Sequence, residues 1–146
     1  MKLLMWHCSS LASRDVRRST RPTAIRRLLT RPVQTTYSDV LAVFACVEEG
    51  DSAATIPAAA REVAIHSKLL KQNNIVVVPF AHLSSNIMTD STRARELIIV
   101  FADELSGAGL SVQTNSFGFH KEFELHFKAR GHPGAVAFRD VPPDDS

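Results

Sequence analysis

Six histidines, two cysteines and one lysine at the start of an alternating strand are the residues of this 146-residue chain whose types could do chemistry. His7, His66, His82, His120, His126 and His132 form no H-E-x-x-H and no H-x-H pattern, and the cysteines are unpaired, so the spacing of a zinc site is missing. No metal and no cofactor is expected. His126 falls on the polar face of its strand, and His66 reads as helix surface or flank. A serine nucleophile wants G-x-S-x-G at a strand-to-helix turn, and Ser84 and Ser85 follow a strand without those glycines. Cys46 sits inside an apolar run that disfavours a thiolate, and its expected role is packing. Neither a P-loop nor G-x-G-x-x-G is present.

Two loop clusters at strand ends remain. The first is Pro79-Phe80-Ala81-His82-Leu83-Ser84-Ser85, at the carboxyl end of an apolar strand, where open α/β sheets place ligands. Pro79 stops the strand ladder, and the small Ala81 lets a ligand approach the backbone. The second is Ser116-Phe117-Gly118-Phe119-His120-Lys121. Lys121 shares a strand face with Phe123 and Leu125. It is either a snorkelling side chain or a desolvated ammonium held over a pocket, able to place a water or stabilise an oxyanion. The pattern alone leaves both open.

The elements that must position these clusters follow from periodicity. Residues 2–8 and 14–20 read as a hairpin around a turn at 9–12, with Arg14-Asp15-Val16-Arg17 too polar for a central strand. Thr23 to Thr30 reads as a short helix. Val40 to Val47 is a continuous apolar run, a central strand over 39–48 covered on both faces. Residues 56–72 read as a helix with Thr55 as N-cap, Pro57 in the first turn and an apolar stripe of Ile56, Ala59, Ala60, Val63 and Leu70. A strand spans 75–79. Asp90 or Ser91 starts a second helix to Ser106, closed by Gly107 and Gly109. Strands follow at 110–115, 121–128 and 135–138, the second with Phe123, Leu125 and Phe127 on one face. The fold class is α/β (α+β): one mixed sheet with two main helices. The domain is expected to span 1–140, with 141–146 the start of a linker or tail.

Hydrophobic residues make up 45% and charged residues 22% of the chain, ordinary for a soluble domain. No apolar run approaches the roughly 18 residues of a membrane span, and Leu3-Leu4-Met5-Trp6 is too short for a signal sequence. Two isolated cysteines without a secretion signal fit a reducing cytoplasm. Net charge is only +2, yet Arg14, Arg17, Arg18, Arg21, Arg26, Arg27 and Arg31 place seven of 17 basic residues in 18 positions. Such a stretch is either a solvated loop or the footprint of a polyanion, most simply nucleic acid.

Taken together, Pro79 to Ser85, Phe117-Gly118-Phe119-His120-Lys121 with Phe123, and Gly131-His132-Pro133 resemble the N-terminal editing domain of archaeal threonyl-tRNA synthetases. Lys2-Leu3-Leu4 leading to His7, and a strand ending Val47-Glu48, fit the same pattern. The resemblance covers nearly the whole chain and is poorest between Ser9 and Ser38. It implies a fold similar to D-aminoacyl-tRNA deacylases, a homodimer, and hydrolysis of serine wrongly attached to tRNA(Thr). It also implies a separate or linked synthetase module as partner.

One methyl supports only about 10–200-fold discrimination by binding, so a second, hydrolytic site makes physical sense. By resemblance, the backbone at Val47 and Ala81 grips the amino acid, Pro79, Phe80, Phe117 and Gly118 shape the pocket, and Lys121 holds the attacking water. His82 and a 2′-hydroxyl of the terminal adenosine assist, with Arg14, Arg17, Arg18, Arg21, Arg26 and Arg27 offered to tRNA. Two departures stand out. His120 replaces a frequent tyrosine, and Val136 stands where the family often has a glutamate, so a carboxylate is lost while an imidazole is gained; either His120, then a third catalytic residue beside Lys121 and His82, or RNA groups compensate. A D-aminoacyl-tRNA deacylase and a non-catalytic tRNA-binding module are the competing readings.

Overall fold

A computed structural model describes residues 1–18, 34–128 and 134–143. In chain order it contains β1 (Lys2–Arg18), β2 (Gln34–Cys46), α1 (Ile56–Leu70), β3 (Asn74–Pro79), α2 (Ser91–Gly107), β4 (Ser111–Thr114), β5 (Phe119–Phe127) and β6 (Val136–Asp140). The strands form one six-stranded mixed sheet in the order β4-β3-β2-β1-β5, with β6 also on β1. β3 runs parallel to both β2 and β4, while β1 pairs antiparallel with β2, β5 and β6.

The expected mixed sheet with two helices is therefore present, but its first element differs. Residues 2–18 are one 17-residue strand, not two strands around a turn. The small polar residues Ser9 and Ser10 mark a bulge: the register with β5 shifts between Cys8 and Ser10, and Asp39 on the facing strand takes a positive φ of 54°. The Arg14 segment is central, since Arg14 pairs with Gln34 on one side and Glu122 on the other. Its polarity is tolerated because alternate side chains divide: Ser13 and Asp15 are buried, whereas Arg14 and Val16 are exposed. The helix expected at 23–30 lies outside the described residues.

Each face of the sheet has its own core. Met1, Leu3, Met5, Val43, Val63 and Phe101 belong to the cluster beneath the two helices. The opposite face gathers Leu11, Tyr37, Ala42, Phe44, Val76 and Val78. Leu11 and Tyr37 lie beyond the bulge, yet they share this cluster with residues of β3. The far half of the β1–β2 hairpin therefore bends back over the sheet. Most helix signals match the structure. Asp90 caps α2 through Arg93 N at 3.0 Å, and Lys71 ends α1 in the left-handed region at φ 55°. Thr55 occupies the N-cap position but spends its hydroxyl on Ser52 N, inside a capping box of the preceding turn. Val141 is buried in the helix-side core and its N–H donates to Met1 O at 2.8 Å.

Candidate functional site

The end of β3 and the end of β2 form one joint. Pro79 is level with Ala45, and Phe80 N donates to Ala45 O at 2.9 Å. A single 3-10 turn, Ala81–Leu83, follows, with Ala81 and His82 exposed and Pro79 and Phe80 half-buried. The chain then doubles back along the end of β2. Val47 O accepts from Met88 N at 3.0 Å, Glu49 N donates to Asn86 O at 3.0 Å, and Glu48 bridges Ile87 antiparallel. Val47 itself is buried. Its carbonyl is thus partly engaged within the protein, while the exposed backbone around Ala81 is the open side of the joint.

Glu48 holds this joint closed. Its carboxylate accepts from Lys2 Nζ at 2.8 Å and from Ser84 Oγ, and lies 3.3 Å from the α-ammonium of Met1. Burial pushes its pKa up, but the bonds from Lys2 and Ser84 and the nearby α-ammonium outweigh burial and hold it below the usual carboxylate range. Ser84 Oγ also accepts from Asn86 N at 2.9 Å, a capping role rather than a nucleophile's.

The second cluster centres on Lys121. Its ammonium donates to Asp15 Oδ1 at 2.7 Å and to Ser116 Oγ, and Ser116 Oγ in turn donates to the Asp15 carboxylate at 2.8–2.9 Å. The Lys121 and Asp15 side chains are 5% and 1% exposed, so the lysine does not snorkel. Desolvation lowers its pKa below the ordinary lysine value, and Asp15 opposes that fall through a hydrogen bond and its charge. The backing is polar and built. Asn115 N donates to Val77 O at 2.8 Å, Ser13 Oγ to Asn115 Oδ1 at 3.2 Å, and Asn115 Nδ2 to Tyr37 OH at 3.1 Å. These bonds tie the 115–118 segment to β3, β1 and β2 at once.

An aromatic trio joins the clusters. Phe44 meets Phe80 at 5.3 Å and Phe123 at 5.1 Å, and Phe80 lies 6.1 Å from Phe123. His82 sets its ring edge-on to Phe80 at 5.2 Å. Phe123 sits two residues beyond Lys121 on the same face. His120, by strand alternation, is exposed on the other face and does not join Lys121. Gly118 takes φ +87°, a backbone state that its lack of a side chain allows. Ser116, Phe117 and Phe119, with Arg95, Ile98 and Ile99 of α2, line a cleft of about 370 Å³. Ser116 therefore links this cleft to the lysine, but neither Val47 nor Ala81 lines it.

Other expected residues fall elsewhere. His66 is buried rather than on the surface, with Nε2 2.6 Å from Gly134 O. Arg14 pairs with Glu122, and Arg17 and Arg18 pair by backbone with His120 and Phe119. Arg21, Arg26, Arg27, Arg31 and the Gly131-His132-Pro133 motif lie outside the described residues. Val136 faces Trp6 on the first half of β1, nine positions before Asp15, so the carboxylate beside Lys121 comes from β1 and not from position 136. Sequence reasoning places Ser116 in the right cluster without a role and misses Asp15; the buried alternation Leu11, Ser13, Asp15 is the available signal. Cys8 and Cys46 are buried free thiols, each pushed up to about 11 by desolvation. Among the described residues no three His, Cys, Asp or Glu side chains are placed to hold a metal ion.

This architecture is that of the D-aminoacyl-tRNA deacylase-like fold. A solved c-Myc DNA unwinding element binding protein superposes with a TM-score of 0.66 over 97% of this chain and 99% of its own, at 9% identity. The sequence narrows the class. Residues 1–141 match the archaea-specific editing domain of threonyl-tRNA synthetase, and the chain belongs to that family. A threonine–tRNA ligase editing subunit of Aeropyrum pernix is 33% identical over 144 residues, 95% of this chain and 31% of that protein. Threonine–tRNA ligases of Thermococcus sibiricus and Methanococcus maripaludis are 35% and 38% identical over 74% and 70% of this chain. The chain spans a third or less of these curated relatives, 31%, 17% and 16% of their lengths.

Proposed function

We propose that the chain is a proofreading hydrolase that deacylates L-seryl-tRNA(Thr), with water as nucleophile. The observation that carries this reading is the buried Lys121 ammonium, paired with Asp15 and Ser116 beside a cleft. Asp15 and Ser116 take two of its three N–H donors; the third is directed to the attacking water or the ester oxygen. The amino acid lies against the exposed Ala81 backbone at the end of β3, where Pro79 and Phe80 make a rigid wall that accepts serine and crowds threonine. Phe117 borders the cleft and Gly118 follows it in the turn, His82 stands at its own turn's open side, and the 2′-hydroxyl of the terminal adenosine assists. His120 faces outward and fits contact with RNA better than chemistry. No step requires a cofactor.

The tRNA(Thr) acceptor end meets the arginine-rich half of β1 and the segment after it, and a threonyl-tRNA synthetase module, linked or separate, is the working partner. A homodimer is supported by the sheet face opposite the helices. Phe127, Val136 and Phe138 are 46%, 41% and 49% exposed there, and Trp6 lies 5.3 Å from Phe127. The protein works in the cytoplasm; among the described residues no helix is long and apolar enough to cross a membrane.

The test compares hydrolysis of L-seryl-, L-threonyl- and D-aminoacyl-tRNA by the purified chain. Preferential cleavage of L-seryl-tRNA(Thr), lost in Lys121→Met, is expected. Cleavage of D-aminoacyl-tRNA in preference would establish the other selectivity that this fold supports. Salt-sensitive tRNA binding with no ester cleaved would reduce the protein to a binding module.

A further inference from the structure

The residue after Val47 does more than end a strand. Glu48 is buried, and its carboxylate reaches across from the end of β2 to Ser84, the residue that terminates the Ala81–Leu83 turn. The same carboxylate is fixed from the other side by Lys2 at 2.8 Å and the Met1 α-ammonium at 3.3 Å, while its own N–H donates to Asp51 Oδ2 at 2.7 Å. Beyond Ser84 the chain is closed onto the same strand end by Met88 N to Val47 O, and by Thr89 N and Oγ1 to Glu49 Oε1 at 2.7 and 2.8 Å. One side chain thus connects the two backbone segments that flank the open joint, Val47 and Ala81. Lys2, the α-ammonium and Asp51 are the charged groups facing it.

We propose that Glu48 is a positioning residue that fixes the width of the amino-acid pocket, and so sets how well one extra methyl group is rejected. This rests on the editing reading above. A pocket that separates serine from threonine by size must not open by more than a fraction of a methyl radius, and close-packed walls resist only if they are tied together. The Glu48–Ser84 bond is that tie. The ester chemistry at Lys121 does not pass through it.

The experiment measures kcat and KM for L-seryl- and L-threonyl-tRNA(Thr) with the wild type, Glu48→Gln, Ser84→Ala and Ser84→Thr, together with each protein's thermal midpoint. Ser84→Ala, which removes the tie, is expected to lower the seryl-to-threonyl ratio of kcat/KM about tenfold, within the roughly 10–200-fold that a methyl can supply, and Glu48→Gln, whose amide oxygen still accepts from Ser84 but no longer pairs with Lys2, to lower it by less. The loss comes from a lower KM for threonyl-tRNA, with seryl kcat kept within about threefold. Ser84→Thr retains the hydroxyl and keeps the ratio. Should Glu48→Gln not fold, the Ser84→Ala and Ser84→Thr pair decides. A wild type that cleaves seryl-tRNA while Ser84→Ala keeps its full ratio overturns the clamp alone. A wild type that leaves seryl-tRNA intact overturns the editing reading and the clamp with it.

Discussion

Replacing Asp15 with asparagine tests whether the Lys121 cluster is held by charge. The two side chains are 1% and 5% exposed and their contact is 2.7 Å, so little solvent remains to screen them. Removing one partner of a buried pair costs about 3–5 kcal/mol, because the other charge is left without compensation. The low end applies here. The amide oxygen in Asp15→Asn can still accept one hydrogen bond, and Ser116 remains within reach of the ammonium. A loss of about 3 kcal/mol in a chain of this size lowers the thermal midpoint by roughly 10 °C.

The pH dependence has a definite sign. Desolvation already lowers the Lys121 pKa below 10.5, and Asp15 opposes the fall. In Asp15→Asn it falls further, so between that value and 10.5 the unfolded chain binds more protons than the folded one. Stability then rises with pH across this window, by at most about 1.4 kcal/mol per pH unit for one proton. Urea unfolding followed by circular dichroism at about pH 7 and about pH 9.5 reads the difference. The variant should recover part of its loss at the higher pH by more than the wild type gains. Adding Lys121→Met to Asp15→Asn should restore more than half of the loss at neutral pH, since an uncharged pair leaves no buried charge unpaired. A variant as stable as wild type at neutral pH, or a double variant worse than the sum of the singles, would refute the argument.

Three further outcomes follow from other features. Cys8 and Cys46, both buried with thiols pushed up to about 11, should resist a thiol-specific disulfide reagent near neutral pH in the folded protein and react once urea is added. Gly118→Val places a β-branched side chain at φ +87° and should cost at least about 1 kcal/mol, read as a lower urea midpoint with unchanged slope. If the proposed homodimer forms through the exposed sheet face, Phe138→Asp should shift sedimentation from dimer towards monomer without lowering the monomer's helix content.

Local signals carried most of the elements. The apolar stripe of α1 and the Asp90 cap of α2 are complete within one stretch of chain, and Val40 to Val47 could be read as buried on both faces because the residues themselves are apolar. The failures share a cause: each needed information from far along the chain. Ser9 to Ala12 reads as a turn until β2 and β5 are present to pair with it, and the bulge then absorbs the irregularity. Lys121 could not be separated from a snorkelling lysine because its partner lies 106 residues away, and Asp15 looked like surface because arginines surround it in sequence. His66 carried no local hint of burial either, since the carbonyl it meets, Gly134, is 68 residues on.

The same distance explains how the proposed site can lack any short catalytic motif. Asp15 arrives from β1, Ser116 from the link between β4 and β5, Lys121 from β5, and the Ala81 turn from the end of β3. A site assembled from several strand ends is fixed by the sheet's register rather than by spacing in the sequence. A one-residue slip of β5 against β1 would turn Lys121 away from Asp15 and bring His120 into its place. The bulge between Asp15 and Arg17 lies beside that pairing, and the Ser13–Asn115–Tyr37 bonds lock it from behind. The polar network buried under Lys121 therefore specifies register as well as charge. Conversion of Asn115 to leucine should consequently impair the proposed Lys121-dependent hydrolysis more than its loss of stability alone would predict, and a deacylation rate that falls only in step with the folded fraction would break that link between register and chemistry.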